Sequence, residues 1–209
     1  MISGIDVSSI QGLINWDSVA AVGYQFAICR NGVGNDGLDA SYSRNITGAK
    51  AAGLKVMAYN VVYPLQTDSV HPNRDPISQA QMHFNHSQDI IAALDLETPA
   101  IQDWVKFGIT AKSINDWVLE YAAMYSSLLG GVYPFLYSYP YYFNAISFDQ
   151  EITKCPLWIA SYTNVPVIPY PYTDYSIWQA SGGNICLPGT KIPVDLDYIK
   201  DPNVLSALS

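Results

Sequence analysis

The sequence predicts an α/β fold in which about eight strands close into a TIM-like barrel within a single domain. Short apolar runs typical of buried strands alternate with helical patterns over the first two thirds of the chain. Such alternation indicates a parallel sheet, because parallel strands are joined through helices. The last third contains three further strand-like runs, separated by loops rich in Pro, Tyr and Gly. Eight strands are the number that closes a parallel α/β barrel, so we expect closure.

The predicted strands are apolar runs bounded by turn-forming residues. The fourth, with the sequence IIAALDLE, begins with five apolar residues and is expected to be buried along most of its length. Because the first and the eighth strand of a closed barrel are neighbours, their ends are expected to lie side by side. In chain order the eight predicted strands span residues 2–6, 25–30, 54–59, 90–97, 132–137, 156–160, 175–180 and 194–197.

Helices are predicted between the first five strands. Asn15 or Asp17 is expected to cap the first of them, and Gly53 is placed to end the second. The fourth helix is the longest, and Gly130 follows its last apolar residue. The predicted helices span residues 15–22, 39–52 and 77–87, and the fourth begins after Thr110. The apolar stripe of that fourth helix comprises Ile114, Trp117, Val118, Tyr121 and Tyr125.

The composition indicates a globular protein rather than a disordered or membrane-spanning one. Of the 209 residues, 49% are hydrophobic and 13% charged, and no run reaches the roughly 18 to 20 apolar residues of a membrane span. No repeat or linker marks a boundary, so we expect one domain over residues 1–209. The net charge of −8 argues against nucleic acid or an anionic membrane as a partner. The first residues, MISGID, contain no recognisable signal peptide.

The cysteines and histidines do not form a recognisable metal motif. Cys29, Cys155 and Cys186 lack metal-binding spacing, and we expect three free thiols; a bridge, if one formed, would join Cys155 to Cys186. His71 lies in a predicted loop, while His83 and His86 are expected on the solvated face of one helix. We therefore expect neither a bound metal nor a cofactor.

Two acids stand together at the end of the fourth predicted strand. Side chains alternate along a strand, so Asp95 and Glu97 point to one face and Leu96 to the other. Desolvating an unpaired carboxylate costs several kcal/mol, so an acid is rarely buried without a partner or a task. Two acids at the carboxyl end of a buried strand are typical of an active site in α/β enzymes.

Further acids are predicted to converge on the same cleft. Asp6 ends the first strand and Asp195 lies on the eighth, and in a parallel barrel all carboxyl ends open onto one face. Such a cluster suits cleavage of a glycosidic bond, which needs one protonated and one ionised group, or binding of a hard divalent cation. The 16 Tyr and 5 Trp residues favour the first, since their rings suit sugar faces.

A set of short motifs extends from residue 4 to about residue 198. In the first half these are Gly4-Ile5-Asp6-Val7-Ser8, Gln11-Gly12, Asn15-Trp16, Phe26-Ala27, Arg30, Asn45, Ala52-Gly53-Leu54 and Ala58-Tyr59. In the second half they are Leu94-Asp95-Leu96-Glu97, Leu136-Tyr137-Ser138, Leu157-Trp158-Ile159-Ala160, Tyr162, Trp178-Gln179 and Val194-Asp195-Leu196-Asp197. As a set, they resemble glycoside hydrolase family 25, the muramidases often called Chalaropsis-type lysozymes.

The resemblance implies a (β/α)5(β)3 barrel that cleaves the β-1,4 bond between N-acetylmuramic acid and N-acetylglucosamine in bacterial peptidoglycan. It makes Glu97 the general acid and Asp95 the residue that orients the substrate's acetamido group, with Asp6 and Asp195 in supporting roles. The residues expected to bind substrate are Tyr59, Tyr137, Trp158, Tyr162, Trp178, Gln179 and Arg30. The chain departs from the family pattern at Ser9-Ile10 and at Asn60-Val61, where histidines are common.

The placement of both acids on one strand favours a substrate-assisted reaction with net retention. A retaining enzyme with a protein nucleophile usually holds its two carboxylates on opposite sides of the scissile bond. Two alternatives remain: a chitinase-like barrel and a non-catalytic sugar-binding module. Ala93 argues against the chitinase-like barrel, because such enzymes normally have a further acid at this position. We expect a monomer without a separate wall-binding domain that acts on the cell wall, extracellularly or delivered by a phage as an endolysin.

Overall fold

The computed structural model describes residues 1–35, 37–65, 74–87 and 90–209. Within these ranges eight strands form the predicted closed barrel, and one two-residue strand is added outside it. His71, which the sequence placed in a loop, lies outside the described residues. In chain order the strands are β1 (Ile2–Val7), β2 (Phe26–Val33), β3 (Gly37–Leu38), β4 (Lys55–Val61), β5 (Ala92–Asp95), β6 (Phe135–Ser138), β7 (Leu157–Ala160), β8 (Ile177–Ile185) and β9 (Val194–Ile199).

The barrel closes because β1 pairs with β2 on one side and with β9 on the other. The neighbouring pairs from β1 through β2, β4, β5, β6 and β7 to β8 are all parallel. The prediction of an all-parallel barrel is wrong at its last strand, since β9 is antiparallel to both β8 and β1. A short hairpin joins β8 to β9, and a hairpin can join only antiparallel strands. The amino end of β9 therefore lies beside the carboxyl ends of the others.

Helices cover the outside of the barrel. Asn15 caps the first helix by accepting a hydrogen bond from the Ser18 N–H, and Thr110 caps the longest helix by accepting one from the Ser113 N–H. The sequence analysis predicts neither the helix that follows β6 nor the one that follows β9. The helices of the described residues are α1 (Trp16–Ala21), α2 (Tyr42–Ala51), α3 (Pro76–Ser87), α4 (Ala111–Leu128), α5 (Pro140–Ile146) and α6 (Pro202–Ala207). None of them is long and apolar enough to cross a membrane.

Side-chain alternation along each strand separates an interior core from two outer ones. Residues facing the barrel axis pack together from β2, β4, β5, β6, β7, β8 and β9. Outward residues of β1, β2 and β4 pack under α1 and α2, while those of β5, β6 and β7 pack under α4 and α5. The largest interior side chains are Phe26, Met57, Tyr59, Phe135, Tyr137 and Trp158.

The amino end of the barrel is closed by aromatic packing and by the chain terminus. Phe26 fills the interior beside Gly4, where an added Cβ would lie 2.3 Å from the Phe26 ring. Leu208 is buried in the same interior core. Ser209 then pairs its backbone with that of Val56 through hydrogen bonds of 2.9 and 3.1 Å. This end is therefore packed shut, and the opposite end remains for a ligand.

In the outer layers the prediction for His83 is wrong and the prediction for the cysteines is confirmed. His83 is fully buried rather than solvated, and its Nδ1 is hydrogen-bonded to the hydroxyl of Tyr121 on α4. Burial, followed by the charge of His86, lowers the pKa of His83 to about 3, so the imidazole is neutral. All three cysteines are free, as predicted; two of them are buried and Cys186 is exposed.

Candidate active site

The backbone around Glu97 is held by hydrogen bonds from both neighbouring strands. The Ser138 hydroxyl at the end of β6 donates to the Leu96 carbonyl over 2.5 Å. On the other side, the Thr98 hydroxyl donates to the carbonyl of Val62, which follows β4, over 2.9 Å. These bonds fix the segment that extends β5 beyond its last ladder pair. Leu96 packs outward and Glu97 faces inward with Asp95, as the alternation of the sequence predicted.

Pro99 anchors the same segment more deeply. Its carbonyl accepts hydrogen bonds from the hydroxyl of Tyr142, at 2.9 Å, and from the indole of Trp104, at 3.2 Å. Both donors are buried and their rings meet edge to face, with centroids 5.7 Å apart. A rigid backbone on both sides of Glu97 limits the positions that its carboxyl can take, which is a requirement for a proton donor.

The Glu97 carboxyl is partly buried at the mouth of the barrel. Burial raises its pKa, the hydroxyl of Tyr139 opposes this by donating to Oε2 over 3.2 Å, and the charge of Asp195 raises it again. Arg30 lowers the pKa through its positive charge. The net effect is a raised pKa, so Glu97 keeps its proton at a higher pH than an exposed glutamic acid does.

Asp95 lies deeper than Glu97 and is 5% exposed. Burial raises its pKa well above the usual range, and the charges of Glu97 and Asp6 add to the effect. Within the described part of the chain, Oδ1 of Asp95 is buried and has no hydrogen-bond partner. A buried acceptor to which no described residue donates is suited to accept an N–H or O–H from a ligand.

Asp6 is connected to two tyrosines through Gln179. The amide nitrogen of Gln179 donates to Oδ2 of Asp6 over 2.7 Å. The amide oxygen of Gln179 accepts hydrogen bonds from the hydroxyls of Tyr137, at 2.9 Å, and Tyr162, at 2.8 Å. Burial, followed by the charge of Asp195, raises the pKa of Asp6 to about 8. Asp6 is therefore largely protonated at neutral pH.

The antiparallel direction of β9 brings two acids to the site. Asp195 pairs directly with Asp6, and Asp197 pairs with Gly4 on one side and Gln179 on the other. The prediction placed Asp195 in the cleft because a strand would end there. Instead it lies near the start of β9, which reaches the same rim from the opposite direction. Burial raises its pKa, and the Gly183 N–H opposes this by donating to its carboxyl.

Asp197 is an interior acid that the sequence analysis did not select. It is fully buried, and its Oδ1 accepts a hydrogen bond of 2.8 Å from the indole of Trp158. Its other oxygen, Oδ2, is buried and has no hydrogen-bond partner among the described residues. Burial, followed by the charge of Asp6, raises the pKa of Asp197 well above the usual range. The sequence does contain a signal for Asp197: it lies two residues after Asp195, so strand alternation places both side chains on the same, inward face.

Arg30 faces the acids and is fixed by an ion pair. Its Nε lies 2.9 Å from Oδ2 of Asp39, and its terminal nitrogen donates to the Ser9 hydroxyl over 3.2 Å. The Asp39 carboxylate also accepts from the backbone N–H groups of Ser9 and Ser41. Arg30 thus provides a fixed positive charge near Asp95, whose pKa it lowers.

Four of the five predicted aromatic residues line the interior or the rim. Trp158 contacts Tyr137 at 4.5 Å and Tyr59 at 5.9 Å between ring centroids, and all three rings are buried. Tyr162 is half-exposed at the rim. The fifth, Trp178, is turned away: it packs in the outer core, and its indole donates to the Ser161 carbonyl over 2.7 Å. The predicted place of Trp178 in a sugar subsite is therefore wrong, because Gln179 next to it faces inward.

Among the described residues, no group of three or more His, Cys, Asp or Glu side chains is arranged to hold a metal ion. The site presents carboxyls, one amide and several phenols. They form a cleft with one partly buried acid at its mouth, a deeper unpaired acceptor on the same strand and a protonated cluster across the barrel.

Comparisons with known proteins find relatives of this chain in sequence and in fold. Residues 5–186 match the family model described as Glycosyl hydrolases family 25. The chain is 26% identical over 184 residues to Lysozyme M1 of Streptomyces globisporus, covering 86% of this chain but only 62% of that protein. It is 24% identical over 187 residues to N,O-diacetylmuramidase of Chalaropsis sp, covering 86% and 88% respectively. The bacterial lysozyme from Streptomyces coelicolor has the same fold, with a TM-score of 0.85 at 23% identity over 99% of this chain and 96% of that one.

Proposed function

Because the chain belongs to glycosyl hydrolases family 25, we propose that it is a peptidoglycan hydrolase. It acts as an N-acetylmuramidase, a lysozyme that cleaves the β-1,4 bond between N-acetylmuramic acid and N-acetylglucosamine. The observation that carries the proposal is the arrangement of Asp95, the last residue of β5, and Glu97, two residues beyond it, as two inward carboxyls at the open end of an aromatic-lined barrel. The chain acts as a monomer on the bacterial cell wall, either outside the cell or delivered by a phage.

Glu97 is the general acid in this proposal. It lies at the mouth of the cleft, and burial raises its pKa, so the proton needed by the leaving oxygen is retained towards neutral pH. The Tyr139 hydroxyl, which donates to Oε2, fixes the carboxyl and leaves its other oxygen for the substrate. After the glycosidic bond breaks, the Glu97 carboxylate takes a proton from the water that completes hydrolysis.

Asp95 orients the acetamido group of the sugar whose anomeric carbon is attacked. Its carboxyl accepts the acetamide N–H, which orients the carbonyl oxygen for attack on the anomeric carbon and formation of the oxazolinium intermediate. Water then opens that intermediate from the face the leaving group occupied, so the configuration is retained. The buried Oδ1 of Asp95 supports this role, because no described residue donates a hydrogen bond to it.

Asp6 supports the reaction without acting as a nucleophile. A carboxyl with a pKa of about 8 is largely neutral at pH 7 and is a weak nucleophile there. The hydrogen bond that it accepts from Gln179 orients it in the barrel wall. Asp195 supplies negative charge at the rim, which helps Glu97 to keep its proton.

Digestion of purified cell walls tests the proposal. We expect new reducing ends on N-acetylmuramic acid, and we expect Glu97→Gln to lose roughly 10²- to 10⁴-fold in rate while remaining folded. Tyr170→Ala is the matched control, since Tyr170 is an exposed side chain outside the cleft. New reducing ends on N-acetylglucosamine would contradict the bond specificity. More than about a tenth of the wild-type rate in Glu97→Gln would exclude Glu97 as the acid.

A further inference from the structure

Three tyrosines form a continuous surface that leads away from the acid at the mouth of the barrel. Tyr139 stacks on Tyr141 with ring centroids 5.4 Å apart and planes inclined by 26°. On its other side Tyr139 meets Tyr162 edge to face at 6.3 Å. Tyr141 is 58% exposed and Tyr162 is 51% exposed. We call Tyr139, Tyr141 and Tyr162 the tyrosine platform.

The platform is held from below through polar contacts. The Tyr139 hydroxyl donates to Glu97, and the Tyr162 hydroxyl donates to Gln179. Tyr141 lies in the first turn of α5, directly before Tyr142, which is buried and bonded to the Pro99 carbonyl. Since these contacts are made within the protein itself, little conformational entropy is lost when a ligand covers the exposed ring faces.

The β8–β9 hairpin passes directly over one end of the platform. A Cβ added at Gly182 would lie 2.7 Å from the Tyr162 hydroxyl, so only glycine leaves this ring in place. The next residue, Gly183, donates its N–H to Asp195. The platform is therefore continuous with the acidic cleft at two points, through Glu97 and through the hairpin.

We propose that the tyrosine platform is a further sugar subsite, which binds a ring of the glycan strand beyond the two sugars whose linkage is cleaved. This inference rests on the proposed function and extends its substrate to a longer chain. A pyranose ring has an apolar C–H face and a hydroxyl edge, which match the ring face and hydroxyl of tyrosine. A glycan with its scissile bond at Glu97 passes Tyr139 first and Tyr141 next as it leaves the cleft.

The size of the platform favours a sugar over a protein partner. A stable protein interface buries about 1,200 Å² or more in total, whereas an aromatic side chain contributes about 150–250 Å² when it is fully buried. Tyr141 and Tyr162 are only about half exposed, so the free area is smaller still. The platform also presents neutral phenols, which suit an uncharged sugar ring better than the charged peptide stems of the cell wall.

Peptide-free glycan oligomers of four and eight sugars test the proposal. We expect Tyr141→Ala to raise the KM for the eight-sugar chain roughly fivefold, with little change in kcat, because stacking is lost in substrate and transition state alike. The KM for the four-sugar chain divided by the KM for the eight-sugar chain should fall accordingly. Tyr141→Trp should restore the wild-type ratio. Tyr170→Ala, which removes a tyrosine that is 74% exposed next to Pro171 in the β7–β8 loop, should leave it unaltered.

Binding to the inactive protein separates this proposal from the proposed function. In the Glu97→Gln background, calorimetry should show the eight-sugar chain bound roughly fivefold more weakly when Tyr141→Ala is added. An equal loss of affinity for the four-sugar and eight-sugar chains, or a loss of affinity only when peptide stems are present, would contradict the proposed subsite. If the wild type cleaves no wall polymer but the Tyr141-dependent binding persists, the subsite stands and the catalytic proposal fails.

Discussion

The pH dependence of stability should reveal the proton held by Asp6. Its pKa is 3.8 in an unfolded chain and about 8 in the folded protein, chiefly because of burial and then because of the charge of Asp195. Between these two values the folded state binds more protons than the unfolded state, so the free energy of unfolding falls as the pH rises. The contribution of Asp6 is therefore present in full below pH 3.8 and is lost as the pH approaches 8.

The magnitude follows from the difference between these pKa values. Each pH unit changes the free energy of unfolding by at most about 1.4 kcal/mol. The titration of Asp6 can therefore lower the free energy of unfolding by up to about 6 kcal/mol between pH 3.8 and pH 8. Asp195 and Asp197 share the cluster, so this figure is a ceiling. Asp6→Asn retains an oxygen that accepts from Gln179 and removes the titration. The stability of the variant relative to wild type should therefore rise with pH by several kcal/mol.

Urea unfolding at pH 4, 6 and 8 measures the effect directly. All other groups titrate in both proteins, so the difference between variant and wild type isolates Asp6 and its neighbours. Asp39→Asn is a suitable comparison, since Asp39 is also buried but is paired with Arg30. Two parallel stability curves for Asp6→Asn and wild type would refute the assignment of a proton to this cluster.

Three further predictions concern the barrel and its thiols. Gly4→Ala should destabilise the protein by about 1–3 kcal/mol in urea unfolding, because its Cβ would meet the Phe26 ring at 2.3 Å; an unchanged midpoint would contradict this packing. Trp178→Phe should lower stability by about 1–3 kcal/mol, since the Ser161 carbonyl loses its donor, yet leave the KM for wall polymer unchanged; a raised KM would return Trp178 to the cleft. Thiol titration of the denatured, unreduced protein should count three groups, whereas a count of one would show a bridge.

Much of the site was predictable because strand alternation is a local rule. The pattern at Asp95, Leu96 and Glu97 gave the correct faces for all three residues, and the cleft position of Asp6 followed from its strand. The same rule, applied more strictly, would have shown that Trp178 and Gln179 cannot both face inward, and that Asp197 shares the face of Asp195.

Other features depend on contacts between distant segments and could not be derived from local patterns. The direction of β9 follows from the hairpin after β8. The sequence pattern predicts a strand that ends at residue 180, whereas β8 extends to Ile185. The hydrogen bonds from Ser138 and Tyr142 to the Glu97 segment join residues more than 40 positions apart. The burial of His83 depends on α4 packing over α3, which the polar residues of α3 did not indicate.

The central claim is that the acetamido group of the substrate, oriented by Asp95, replaces a protein nucleophile. The most direct measurement compares turnover of wall polymer bearing N-acetylated muramic acid with that of the same polymer after de-N-acetylation, at matched bound concentrations. We expect the de-N-acetylated polymer to be almost inert, and Asp95→Asn to lose activity only on the acetylated one. Comparable turnover of both polymers would contradict substrate assistance and would require Asp6 or Asp195 to act as the nucleophile or base.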